Sequence, residues 1–176
     1  MADDDVSSLR AVAHPVRLRI LSLLTGTEMS AAEIARELDL THANASYHLR
    51  VLAEAGEVVE AGEEKIRGGV ARRYRHPWDR ARPSPAAGPG ARGQEEREMH
   101  VRALAEELVR RFGQRKDRTP AQLTDAELWV TPEVWQRVSS LVGEAARLLH
   151  AEAVPPRTPG TLHVNLSSAL FEMRKR

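Results

Sequence analysis

The sequence predicts a mainly helical α+β fold in two parts. An N-terminal set of short helices is closed by a β-hairpin, and a small C-terminal helix-strand-helix-strand unit follows. Three observations predict it. Before residue 56, apolar residues recur at helical spacing in short blocks, each ended by a turn signal. Two strand-like runs, Val58-Val59-Glu60-Ala61 and Val70 to Arg75, flank Gly68-Gly69, which suits a hairpin turn. Between the parts lies HPWDRARPSPAAGPGARG (76–93), rich in Pro, Gly and Ala and unable to bury enough surface to fold by itself. The expected boundaries are 6–76 for the first domain, 77–94 for the linker and 95–173 for the second domain.

The first helix is expected over Leu9–Ala13, after an acidic, solvated start at Asp3-Asp4-Asp5. The second runs from His14 to Leu24. Pro15 suits its first position, where the missing N–H would be unpaired anyway, and Gly26 ends it. Val16, Ile20, Leu23 and Leu24 form its apolar stripe. Ser30 followed by Glu33 is a capping box, with Met29 and Ile34 placed as a hydrophobic staple. Ile34, Ala35 and Leu38 continue that helix for about two turns before Asp39-Leu40-Thr41 breaks it. Thr41 caps the next helix and Gly56 supplies a left-handed stop.

That next helix has a distinctive outer face. Ala45, Leu49 and Leu52 share one side, with His48 at its margin, while Ala43, Tyr47 and Arg50 point the opposite way, flanked by Asn44 and Ser46. Two short helices joined by a tight turn, the second small and polar outside, are laid out as a helix-turn-helix, whose second helix enters the DNA major groove. With the hairpin beside it, the order is that of a winged helix-turn-helix.

The segment from about Leu9 to Arg75 resembles the ArsR-like family of bacterial transcriptional regulators. The residues that carry the resemblance are His14-Pro15-x-Arg17-Leu18-x-Ile20-Leu21, then Ala32-Glu33-Ile34-Ala35, then Ser46-Tyr47-His48-Leu49-x-x-Leu52-x-x-Ala55-Gly56. Arg67-Gly68 and Arg73-Tyr74-Arg75 look like the wing of the same group. The resemblance implies a dimeric, sequence-specific DNA-binding repressor or activator. The expectation is a repressor that reads a palindromic operator in double-stranded DNA as a homodimer. Candidate base contacts are His42, Asn44, Ser46, Tyr47 and Arg50. Candidate backbone contacts are Ser30, Thr41, Lys65, Arg67, Arg72, Arg73 and Arg75. The chain departs from the family twice. It has no cysteine, which excludes sensing through thiolates. Glu57 also stands where an apolar residue usually leads into the wing.

Charge qualifies this reading. The whole chain is only +1, and residues 1–64 carry five Arg against twelve Asp/Glu, a net of −7. Residues 65–82 carry seven Lys/Arg against Asp79, a net of +6. Phosphate neutralisation drives most DNA affinity, so attraction should concentrate on the wing. The acidic remainder is the best support for the alternative, a winged-helix protein–protein interaction module without DNA binding.

In the second domain, Val101, Leu104, Ala105, Leu108 and Phe112 predict a helix, and Ala126, Leu128 and Val130 a short strand. Thr131-Pro132-Glu133 caps a longer helix bearing Val134, Val138, Leu141, Val142, Ala145, Leu148 and Leu149. Leu162, Val164, Leu166, Ser168 and Leu170 then alternate as a strand of about ten residues. Two strands alone are marginal in water, so this domain needs a partner, and a dimer contact over 95–173 would supply it. Trp129 and Trp135 are expected in its core. A small-molecule effector of unknown identity could also bind there, with no residue assignable to it.

Enzyme chemistry has little footing. No Gly-x-Ser-x-Gly elbow or Walker loop occurs, and Ser46 and His48 point in different directions on one helix. No His-x-x-x-His spacing suggests a metal site, and no cofactor is expected. No apolar run approaches the roughly 20 residues that span a bilayer, and no signal-like core is present, so a cytoplasmic protein is expected.

Overall fold

Pro15 opens α1 (Pro15–Thr25), with His14 as its N-cap: the His14 Nδ1 accepts from the Val16 amide at 3.2 Å. The structure is a computed structural model and describes residues 10–66, 69–78 and 91–174. Residues 10–12 are helical, and Arg17 donates to the Ala11 and Arg10 carbonyls, tying that turn to α1. Ile20, Leu21 and Leu24 are the buried side of α1; Leu21 takes the place expected for the partly buried Val16 and Leu23.

The expected capping box is present at the start of α2 (Ala31–Leu38). The Glu33 carboxylate accepts from the Ser30 amide at 2.7 Å, and the Glu33 amide donates to Ser30 Oγ at 3.4 Å. Asp39 ends α2 in the left-handed region (φ 55°, ψ 51°), which a short Asp side chain tolerates. Thr41 then caps α3 (His42–Glu54) by accepting from the Asn44 amide at 3.2 Å. Gly56 follows α3 at φ 70°, where a side chain is disfavoured.

The sheet has three strands, in the order β1-β3-β2. β2 (Val59–Ile66) and β3 (Gly69–Arg75) form the expected antiparallel hairpin, with a bulge between Glu60 and Gly62. The turn expected at Gly68-Gly69 involves Gly68, which lies outside the described residues. β1 (Met29–Ser30) is an addition: two residues, with Met29 opposite Tyr74 and Ser30 opposite Arg73. The core lies under these elements, around Ile20, Leu24, Ile34, Ala45, Leu49, Leu52 and Val58, with Tyr74 packed against it. His76-Pro77-Trp78, assigned in part to the linker, sits against folded elements. The His76 amide donates to the Leu24 carbonyl at 3.0 Å, Pro77 is fully buried, and the Trp78 ring lies 5.4 Å from that of His150.

The C-terminal half consists of α4 (Ala91–Gly113) and α5 (Pro132–Ala151). The two strands expected at 126–130 and 162–170 are absent: both runs lack regular secondary structure. A strand needs a hydrogen-bonded neighbour, and within one chain these runs meet none. Trp129, expected in a core, is 88% exposed, and Trp135 is half-buried. The stripe expected to be buried on α4 is turned outward as well: Val101, Leu104, Leu108 and Phe112 are exposed, while Glu96, Ala103 and Glu107 are buried.

Candidate nucleic-acid interface

The inner face of α3 is fixed by burial. Ala45, Leu49 and Leu52 are at most 1% exposed, so the helix has one rotational setting on the core. The opposite face is therefore also fixed. It presents His42, Ala43, Asn44, Tyr47 and Arg50 to solvent, with Ser46 half-buried at its edge. Tyr47 is half exposed, and the Arg50 guanidinium lies 5.7 Å from its ring centroid, so the two long side chains brace one another. Ala43 apart, these are the five residues singled out from the sequence as base contacts, together on one side of the helix. Thr41 is exposed at the end of that surface, its hydroxyl capping the helix.

Beneath this face lies a histidine pair. His48 is buried, and its ring stands 4.9 Å from that of His14. Burial, the other imidazole and Arg17 hold the His48 pKa below its ordinary value; burial and Arg17 do the same for His14. Both rings are therefore held neutral, and the neutral His14 Nδ1 is the acceptor that caps α1.

The backbone-contact candidates divide. Lys65 is exposed at the end of β2, and Arg75 is half-buried opposite Val59 with no ion-pair partner among the described residues. Arg72 pairs with Glu60 at 2.8 Å, both well exposed, a contact that a phosphate could readily replace. Arg67 lies outside the described residues. Ser30 and Arg73 are engaged within the protein. Ser30 is buried, and both its amide and its hydroxyl bond Glu33, so it is a helix cap with nothing left for a phosphate. Arg73 is 25% exposed and donates to Glu33 at 3.2 Å, to Glu64 at 2.6 Å and to the Glu28 carbonyl. It bolts the wing onto α2. Burial would raise the Glu33 pKa, but bonds from Ser30 and the Arg73 charge outweigh it and hold the carboxyl below its usual range.

The wing is also less positive than the count over 65–82 indicates. Its two strands must be counted together, and β2 brings Glu60, Glu63 and Glu64 beside Arg72, Arg73 and Arg75. Across 59–75 five basic residues face three acidic ones, a net of +2. A window cut at residue 64 separates charges that the hairpin places side by side.

Glu57, noted as a departure, is 1% exposed beneath the wing. Its carbonyl bonds the His76 ring at 2.7 Å, and its carboxylate acts on His100 of α4. Burial lowers the His100 pKa despite that carboxylate and the Val12 backbone, which both act to raise it. Glu57, His76 and His100 thus join the winged part to α4. A lone glutamate in the sequence gave no hint of that junction, because its partners come from two later segments.

Comparison with known proteins agrees with this geometry. Residues 12–59 match the family model of a helix-turn-helix domain. That span covers α1 to α3 and the entry into the wing. These residues form a helix-turn-helix. The chain is also 37% identical over 46 residues to the transcriptional repressor SdpR of Bacillus subtilis (strain 168). The match covers 26% of this chain and 51% of that protein, so the chain spans about half the length of the curated relative it matches. The matched family model ends at residue 59, so α4 and α5 lie beyond it. No helix among the described residues is long and apolar enough to cross a membrane, and no group of three or more metal-ligating side chains occurs among them.

Proposed function

We propose that this chain is a DNA-binding transcriptional repressor that reads a palindromic operator as a homodimer. α3 lies in the major groove, and the wing grips the backbone. The observation that carries the reading is the α3 surface: a helix locked on its inner side by three fully buried apolar residues, with a polar, exposed outer side. The similarity of a 46-residue stretch of the chain to a transcriptional repressor supports it. His42, Asn44, Ser46, Tyr47 and Arg50 are assigned to base edges, and Thr41, Lys65, Arg72 and Arg75 to phosphates. Two copies related by a two-fold axis would set their α3 helices about 34–36 Å apart, one helical turn of DNA.

The competing reading, a module that binds protein through the winged part, draws on the acidic total of residues 1–64 and the modest charge of the wing. Selection of the full chain against a random duplex pool separates the two. An enriched palindrome supports the repressor. No enrichment at low salt, where electrostatic binding is strongest, supports the module.

A further inference from the structure

The C-terminal half leaves large apolar surfaces uncovered among the described residues. Of the 25 large hydrophobic side chains that are exposed among the described residues, 22 lie between Met99 and Met173. Within 91–174, Ala103 is the one buried apolar residue among those described. So little burial cannot offset the entropy of ordering this length of chain. Yet its apolar residues keep helix or strand spacing over 101–112, 126–149 and 162–166, which a disordered tail would not require.

α4 makes the point sharply, because its amphipathicity is reversed. Its polar positions Glu96, His100 and Glu107 flank Ala103 on the side toward α1. Glu96 lies 3.9 Å from Arg10, and Arg111 reaches Ser22 of α1 at 3.2 Å. Val101, Leu104 and Leu108 face away, exposed. On α5, Val134, Val138, Leu141, Ala145 and Leu148 follow the four-three spacing of a helix–helix seam, and no residue of the helix is buried. Residues 161–167 alternate polar and apolar side chains, Ala169, Leu170 and Phe171 follow Ser168, and 161–171 contain no Asp, Glu, Lys or Arg.

We propose that the occupant is a second copy of this chain, and that the arm formed by α5 and residues 161–171 is where the two copies join. The 161–171 segments pair antiparallel about the two-fold axis, and the α5 seams lie against the apolar surfaces of the mate. This deepens the dimer reading above by assigning its interface. Three observations favour a second copy over a different partner. An uncharged strand can face its own image without placing like charges opposite one another. Residues 91–176 carry 14 basic and 12 acidic side chains, so two copies repel little. The exposed apolar side chains of α5 and 161–171 offer on the order of 1,000 Å² per chain, or about 2,000 Å² for the pair, within the range of obligate homodimers.

The absence of native cysteine makes the test clean. Single cysteines are introduced in turn at residues 162 to 170 of the full chain and oxidised, with Ala53→Cys on the exposed side of α3 as control. A disulfide needs Cα atoms within about 7 Å, so only positions at the two-fold axis qualify. The expected result is that one position, near Leu166→Cys, converts most of the chain to covalent dimer, with yields falling on both sides. Leu141→Glu should shift the uncrosslinked protein toward monomer in sedimentation. Yields no higher than the Ala53→Cys control at every position overturn the proposal, as does a monomeric parent chain at micromolar concentration. A parent that enriches a palindrome yet crosslinks nowhere along 162–170 overturns this interface and leaves the operator reading standing. A covalent dimer that enriches no sequence does the reverse.

Discussion

Lys65 and Arg73 belong to the same hairpin and carry the same charge, yet the structure gives them opposite tasks. Arg73 is enclosed by Glu33, Glu64 and the Glu28 carbonyl. Arg73→Ala should therefore cost about 1–2 kcal/mol of stability in chemical denaturation, because it strands the partly buried Glu33. The slope of log affinity against log salt should barely change. Lys65→Ala should leave stability alone, weaken binding to every duplex alike and flatten that slope by about one unit. The sequence could rank these residues only by charge, since their difference depends on carboxylates up to 40 positions away. The buried histidines have their own signature. His14, His48 and His100 all have pKa values lowered by burial, so the unfolded chain binds protons that the folded chain refuses. Their contribution to stability is full above about pH 6.5 and is lost as pH falls below it. The thermal midpoint should drop between pH 7 and pH 5, and less so in a His48→Gln variant.

Among the elements, α2 and α3 were legible because their signals are local. Ser30, Glu33, Thr41 and Gly56 act within three or four residues, so spacing alone locates the ends of both helices. Gly56→Ala tests one of those ends. A side chain at φ 70° has open space around it, so the cost is conformational, about 1 kcal/mol by denaturation. A larger loss would mean that the junction under the wing, where Glu57 is buried, is disturbed as well. β1 was illegible because two residues have no periodicity to read. Met29 and Ser30 become a strand only through Tyr74 and Arg73, far along the chain. The charge of the wing was misjudged for a related reason, since pairing across the hairpin puts Glu60 within reach of Arg72. The strands expected at 126–130 and 162–170 did not form for a physical reason. Alternation marks a run suited to pairing in a sheet, and among the described residues neither run meets a hydrogen-bonded neighbour.

At the scale of the molecule, the chain divides into a part that completes its own core and a part that does not. The winged part buries Ile20, Ile34, Leu49 and Leu52 without help. The remainder turns apolar stripes outward from α4 and α5. Both features suit a protein that works in pairs: a self-sufficient reading head, and an arm that joins two heads at a set distance. The central claim is that α3 reads bases and does so twice, symmetrically. It is tested most directly by repeating the duplex selection with Asn44→Ala, a substitution on the exposed face that removes no buried contact. The account predicts a palindrome in which preference relaxes at one position in each half-site, symmetrically placed, with the rest of the motif intact. A motif identical to that of the parent chain, or one altered in a single half, would contradict it.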